Sequence, residues 1–144
     1  MMNDSMKRLR VLIACECSQT VCERFRALGD ECYSCDVVDQ YGGHPEWHIM
    51  RDVRDLLDGD CAFETRDGAA HYVDAWDLII AHPPCTYLSR TQNQLYDRER
   101  LGDEYVDNRI ACRERAVAFF LRFARVDCPC AIENPVGCMS RRYR

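Results

Sequence analysis

The sequence predicts an α/β domain, a mostly parallel sheet with helices on both faces. Three observations predict it. The runs Arg10-Val11-Leu12-Ile13-Ala14 and Asp77-Leu78-Ile79-Ile80-Ala81 are continuously apolar rather than alternating, as strands covered on both faces are. Helical periodicity separates such runs, and strand alternating with helix implies parallel pairing. Acids, prolines and cysteines gather just after the apolar runs, where open α/β sheets hold their ligands.

Each element has a local reason. Arg10 to Ala14 is the first strand. Thr20 and Glu23 have capping-box spacing, and Val21, Phe25 and Leu28 at i, i+4 and i+7 make one apolar helical face. Gly29 is a stop signal. Glu31 to Asp36 follows as a second strand ending in an acid, completing a βαβ unit. Gly42-Gly43 and Pro45 make Asp39 to Trp47 a loop. His44 and His48 flank Pro45 and Trp47 there and are read as solvated. Ile49 to Leu57 holds a short strand and a short helix, and 59–70 is weakly patterned. Asp77 to Ala81 is the clearest buried strand, stopped by His82-Pro83-Pro84. The polar stretch from Leu88 to Gly102 is expected to be irregular and mobile. A long helix is predicted from Glu104 to Arg125, with Ile110, Val117 and Ala124 at heptad spacing and Phe120 and Leu121 on the same face. Cys130 to Glu133 is a last strand, ended by Asn134-Pro135.

The 144 residues suffice for a single domain with its own core. A formal net charge of −5 argues against bulk electrostatic attachment to nucleic acid but leaves room for a local basic patch. The start, Met1 to Arg8, lacks the apolar core of a secretory signal, and no apolar run reaches membrane-spanning length. A soluble, cytoplasmic protein without membrane contact is the expectation. The eleven cysteines are odd in number, so they cannot all pair within one chain. Reduced thiols acting as small hydrophobes are expected. Cys32 and Cys35 have the spacing of half a zinc knuckle, but they lie in a strand-like run, and no metal site is assigned.

Two strand ends carry the strongest chemical signal. Cys85 follows a rigid Pro-Pro turn just past a buried strand, which fixes its position. Glu133 ends the next strand, one long helix later, and βαβ connection commonly makes such strands neighbours. A fixed thiol and a carboxyl suit addition of a thiolate to an electron-poor ring, with the carboxyl meeting the displaced charge.

Asp77-Leu-Ile-Ile-Ala-His-Pro-Pro-Cys85-Thr-Tyr-Leu-Ser89 resembles the catalytic motif of DNA (cytosine-5-)-methyltransferases, a strand ending in Pro-Cys with a serine a few residues on. Ala131-Ile-Glu133-Asn-Pro-Val136 resembles that family's Glu-Asn-Val motif, and the order and intervening helix match. The resemblance runs from Leu9 to Val136 and is closest to short, phage- or prophage-type members. It implies a Rossmann-like S-adenosylmethionine-dependent methyltransferase fold and S-adenosyl-L-methionine as cofactor. The implied reaction is methylation of cytosine carbon 5 in DNA through a covalent cysteine adduct. Because the reacting carbons are closed off inside a stacked duplex, the base would be flipped out, with 88–102 closing over it as a lid.

The resemblance implies Cys85 as nucleophile and Glu133 as the partner of ring nitrogen 3. It assigns Ala14, Glu16, Ser18, Asp36, Asp52, Val53 and Pro84 to the donor, with Glu16 facing its ammonium, Asp36 its ribose and Asp52-Val53 its adenine. Pro83, Ser89 and Asn134 are assigned to the substrate. Tyr87, Arg90 and Tyr96 are candidates for holding a base or phosphate, and Arg141-Arg142-Tyr143-Arg144 for starting a phosphate-binding segment.

The sequence departs from the family in three places. Ala14-Cys15-Glu16-Cys17-Ser18-Gln19 replaces its glycine-rich first loop. His82 replaces a small residue before Pro-Pro, and is read as structural. No target-recognition region or later motif is present, so truncation, a homo-oligomer or a separate recognition subunit is expected. The alternative is a catalytically degenerate methyltransferase fold that binds a nucleotide or partner. Weaker rivals are a pyrimidine reaction on a free nucleotide and thiol redox or zinc chemistry.

Overall fold

The computed structural model describes residues 6–143. In chain order its elements are β1 (Arg10–Ala14), α1 (Thr20–Ala27), β2 (Glu31–Asp36), β3 (His48–Met50), β4 (Cys61–Glu64), β5 (Ala70–Val73), β6 (Leu78–Ala81), α2 (Arg98–Leu101), α3 (Asp103–Phe123), β7 (Cys130–Ile132) and α4 (Met139–Arg142). Short 3-10 helices form at Pro45–Trp47, Val53–Asp55 and Arg90–Tyr96. Five strands make a mostly parallel α/β sheet in the order β3-β2-β1-β6-β7, and β4 and β5 form a separate antiparallel pair. No helix among the described residues is long and apolar enough to cross a membrane.

The chain divides into two compact units, Met1–Ala81 with Val126–Ala131, and His82–Arg125 with Ile132–Arg144. In the first, β1 is central and fully buried from Val11 to Ala14. Strand order runs outward to β2 and β3 on one side and to β6 on the other, so the direction reverses between β1 and β6. Ala14 and Ala81 stand in register at that reversal. Across β1 and β2, Val11 faces Cys32 and Leu12 faces Tyr33, which assigns each pair to one side of the sheet. On the first side Val11, Ile13, Cys22 and Cys32 form a core with Val21 and Phe25 of α1. On the other, the Tyr33 ring meets Phe63 at 5.0 Å and Trp76 at 6.3 Å.

Three local expectations change in this unit. Thr20 and Glu23 make no capping box. Gln19 is the cap residue, and its side chain makes no capping hydrogen bond. Instead, Glu16 reaches forward and accepts from Val21 N at 2.7 Å and Cys22 N at 3.1 Å. These are first-turn amides that α1 cannot satisfy itself. His48 is not solvated but fully buried, with Nδ1 2.9 Å from Ser34 Oγ and Nε2 2.9 Å from the Val38 carbonyl. The weakly patterned stretch 59–70 contributes β4 and the start of β5. Cys32 and Cys35 are an odd number of residues apart on β2, so their side chains point to opposite faces and cannot share a metal.

In the second unit α3 buries Val106, Val117, Phe120 and Phe123. Val117 and Phe120 pack with Leu88 and Met139 in one core, and Leu121 and Ile132 line it. Ile110 and Ala124 are only half-buried. The stretch 88–102, expected to be irregular, is a capped pair of short helices. Ser89 Oγ accepts from Thr91 N at 3.3 Å, and Asp97 Oδ1 from Glu99 N at 3.1 Å and Arg100 N at 3.2 Å.

Candidate active site

The second unit brings the two motif segments together. After β6 the chain passes through buried Pro83 and exposed Pro84 to Cys85, whose carbonyl accepts from Leu88 N and Ser89 N, each at 3.0 Å. That double acceptance closes a turn and holds Cys85 outward. After β7 come Glu133, exposed Asn134 and Pro135. An antiparallel bridge pairs Ser89 with Gly137, with Arg90 N donating to the Val136 carbonyl at 2.8 Å and Cys138 N to the Leu88 carbonyl at 3.1 Å. A Cβ on Gly137 would stand 1.8 Å from the Leu88 carbonyl oxygen, so only glycine permits this approach.

His82 and Glu133 complete the join. His82 Nδ1 lies 2.8 Å from Glu133 Oε2. The Glu133 side chain is 71% exposed and that of His82 28%, so the pair opens to solvent on its carboxylate side. The other ring nitrogen, His82 Nε2, is buried without a hydrogen-bond partner among the described residues.

Cys85 is the one exposed cysteine of the eleven. Burial pushes the Cys15 thiol up to about 12, helped by the charges of Asp36 and Asp52. A hydrogen bond with Cys22, then burial, raises Cys32, and burial followed by the charge of Cys15 raises Cys35. Burial also pushes Cys130 up to about 11. Those thiols stay protonated near neutrality and are poor nucleophiles. Exposure on a hydrogen-bonded turn distinguishes Cys85 from them.

Beside this turn, α3 offers arginines that the motif-based reading misses. Arg109 lies over the Tyr87 ring at 5.0 Å and the Tyr96 ring at 5.4 Å, and Arg113 lies over Tyr96 at 4.5 Å. Their i, i+4 spacing on a helix is the signal that the sequence offers for a shared face.

Of the donor-assigned residues, Pro84 lies in the second unit, and the other six lie in the first, at or just after the carboxyl ends of its strands. Ala14 is buried within β1, and Val53 is also buried. Cys15 and Gln19 hold left-handed backbone, φ 61° and 62°, without being glycine. Gln19 is fixed there by its buried amide, whose Nε2 donates to the His44 carbonyl at 2.8 Å and Ser34 Oγ at 3.1 Å. Ser18 Oγ accepts from Thr20 Oγ1 at 3.2 Å. Half-buried Asp36 accepts from Val38 N at 3.3 Å. Asp52 caps the turn at Val53–Asp55 and pairs with Arg54 at 2.6 Å, and Arg54 holds its carboxyl below the usual range. The two oxygens of Glu16 serve α1, and the residue is 6% exposed.

In comparisons with known proteins, the chain matches no family model, no curated protein and no solved structure.

Proposed function

We propose that this protein transfers a methyl group to carbon 5 of cytosine, using Cys85 as the attacking thiol. The observation that carries the reading is the union of the Cys85 turn with the Glu133 strand end inside one unit, through the His82–Glu133 hydrogen bond and the Ser89–Gly137 bridge.

Carbon 5 of cytosine is a weak nucleophile. The Cys85 thiolate adds at carbon 6, forming a carbon–sulfur bond and pushing the ring electrons toward carbon 5 and nitrogen 3. Glu133 meets that charge by presenting a proton from its carboxyl to nitrogen 3. His82 is a positioning residue: its Nδ1, 2.8 Å from Oε2, fixes the orientation of the Glu133 carboxyl. After methyl transfer, loss of the carbon 5 proton to solvent lets the carbon–sulfur bond break and frees Cys85.

When bound, S-adenosyl-L-methionine supplies the methyl group on a sulfonium, which leaves as a neutral thioether. The first unit fits it in part. Asp36, half-exposed at the end of β2, is suited to accept hydrogen bonds from a ribose diol. Asp52 reaches a ligand by giving up Arg54, an exposed pair whose loss costs little. Glu16 supports the site by holding α1 and its preceding loop.

The test is methyl transfer from labelled donor to cytosine-containing DNA, comparing the protein with Cys85→Ala. Transfer by the first and none by the second is expected. Equal transfer by both would remove Cys85 from the chemistry. Loss of donor binding in the unsubstituted protein would instead favour the degenerate, non-catalytic binding module.

A further inference from the structure

A cavity of about 480 Å³ opens on the second unit, lined by Arg90, Asn93, Arg113, Ser140, Arg141 and Arg142 together with residues 136–138. Four arginines and no carboxylate line it, on a chain whose formal net charge is −5. Of the four, Arg142 forms an ion pair among the described residues, with Glu114 at 2.8 Å, and Arg113 feels the same carboxylate at longer range. Arg113 is held by the Tyr96 ring, and its Nε is buried with no hydrogen-bond partner among the described residues. With its Nε buried, Arg113 keeps its guanidinium charge in place at the cavity wall. Asn93 and Ser140 add neutral hydrogen-bonding groups around the same space.

The cavity grows from the join already described. Arg90 follows Ser89, whose amide donates to the Cys85 carbonyl at 3.0 Å, and Arg90 N donates to the Val136 carbonyl at 2.8 Å. The arginine cluster therefore begins one hydrogen bond and one peptide link away from the proposed nucleophile's own backbone.

We propose that this cavity is a phosphate site, seating the phosphate carried by the reacting nucleotide. This rests on the cytosine reading of the Cys85 turn and adds to it a recognition element independent of catalysis. Guanidinium groups match phosphate oxygens in pairs, and several of them around one cavity favour a doubly charged or chain phosphate over a neutral nucleoside. A monoester of a free nucleotide and a diester of a DNA strand share this chemistry.

Calorimetry with deoxycytidine and dCMP, and anisotropy with a labelled single-stranded oligonucleotide containing cytosine, test the site without any methyl transfer. Arg90→Gln combined with Arg141→Gln is the variant to use, because both side chains are exposed and outside the core. The expected result is dCMP or the oligonucleotide binding about tenfold more weakly to the variant, with deoxycytidine unaffected. Response of dCMP assigns the monoester, and response of the oligonucleotide alone assigns the diester. If neither phosphate-bearing probe distinguishes the variant from the unsubstituted protein, the phosphate site is overturned. If the probes bind through the arginines while Cys85→Ala transfers methyl groups normally, the site stands and the cytosine mechanism fails.

Discussion

His82 Nδ1 lies 2.8 Å from Glu133 Oε2, linking the residue that follows β6 to the residue that follows β7. In the proposed chemistry this bond orients the carboxyl that meets nitrogen 3. Glu133→Gln keeps the shape but removes the titratable group, and methyl transfer should fall roughly 10²–10⁴-fold with little change in melting temperature. His82→Gln should be milder and should lower kcat more than it changes KM for DNA, since it removes a positioning contact rather than the acid itself. A kcat equal to that of the unsubstituted protein would assign His82 to packing alone.

Selective thiol labelling should follow exposure. Brief treatment with iodoacetamide at pH 8 should modify Cys85 first, while Cys15, held up to about 12, and buried Cys32 and Cys35 react only after unfolding. Peptide mass mapping at increasing denaturant reads the order directly. Labelling of Cys15 before Cys85 would contradict the exposure argument.

The bridge between motif segments depends on Gly137. Gly137→Ala places a methyl group against a backbone carbonyl that cannot rotate away, and should cost roughly 1–3 kcal/mol. Melting temperature and activity should fall together. Thr20→Ala should be nearly silent, whereas Glu16→Ala, which strips two amides of α1 of their acceptor, should cost about 1–2 kcal/mol.

Asp77 gives a pH dependence with a definite sign. Its carboxylate accepts from Arg10 N at 2.8 Å and Lys7 Nζ at 3.0 Å, and these hold its pKa below the ordinary carboxylate range. A lowered folded-state pKa contributes stability above the unfolded value, and that stability is lost as pH falls through the folded one. Asp77→Asn should therefore be about 1 kcal/mol less stable at neutral pH. The two proteins should converge in acid. Denaturant midpoints between pH 2 and pH 7 check this; a gap that widens in acid would reverse the sign.

The sheet was legible because its strands are short and continuously apolar. Residues 10–14 and 31–36 have the predicted bounds, and β6 starts one residue later, at Leu78, with Asp77 occupied by Lys7 and Arg10 N. The β4–β5 pair was not legible, since Cys61-Ala62-Phe63-Glu64 buries only Phe63 and so shows no strong alternation. Nor was the order in 88–102, where Ser89 and Asp97 cap turns of polar composition. At the site, Pro-Pro-Cys and Glu-Asn-Pro were readable as motifs. The His82–Glu133 bond was not, because the partners are 51 residues apart. The forward reach of Glu16 was not legible either, because the amides that donate to it lie five and six residues on, outside the usual capping spacing.

The central claim is a covalent bond between Cys85 and carbon 6 of cytosine. DNA carrying 5-fluorocytosine tests it directly, because fluorine at carbon 5 blocks the elimination that would release the enzyme. With donor present, mass spectrometry should find protein joined to DNA, with the link mapped to the Cys85 peptide and missing in Cys85→Ser. Protein that binds both DNA and donor yet forms no adduct, or forms one at another residue, would contradict the account.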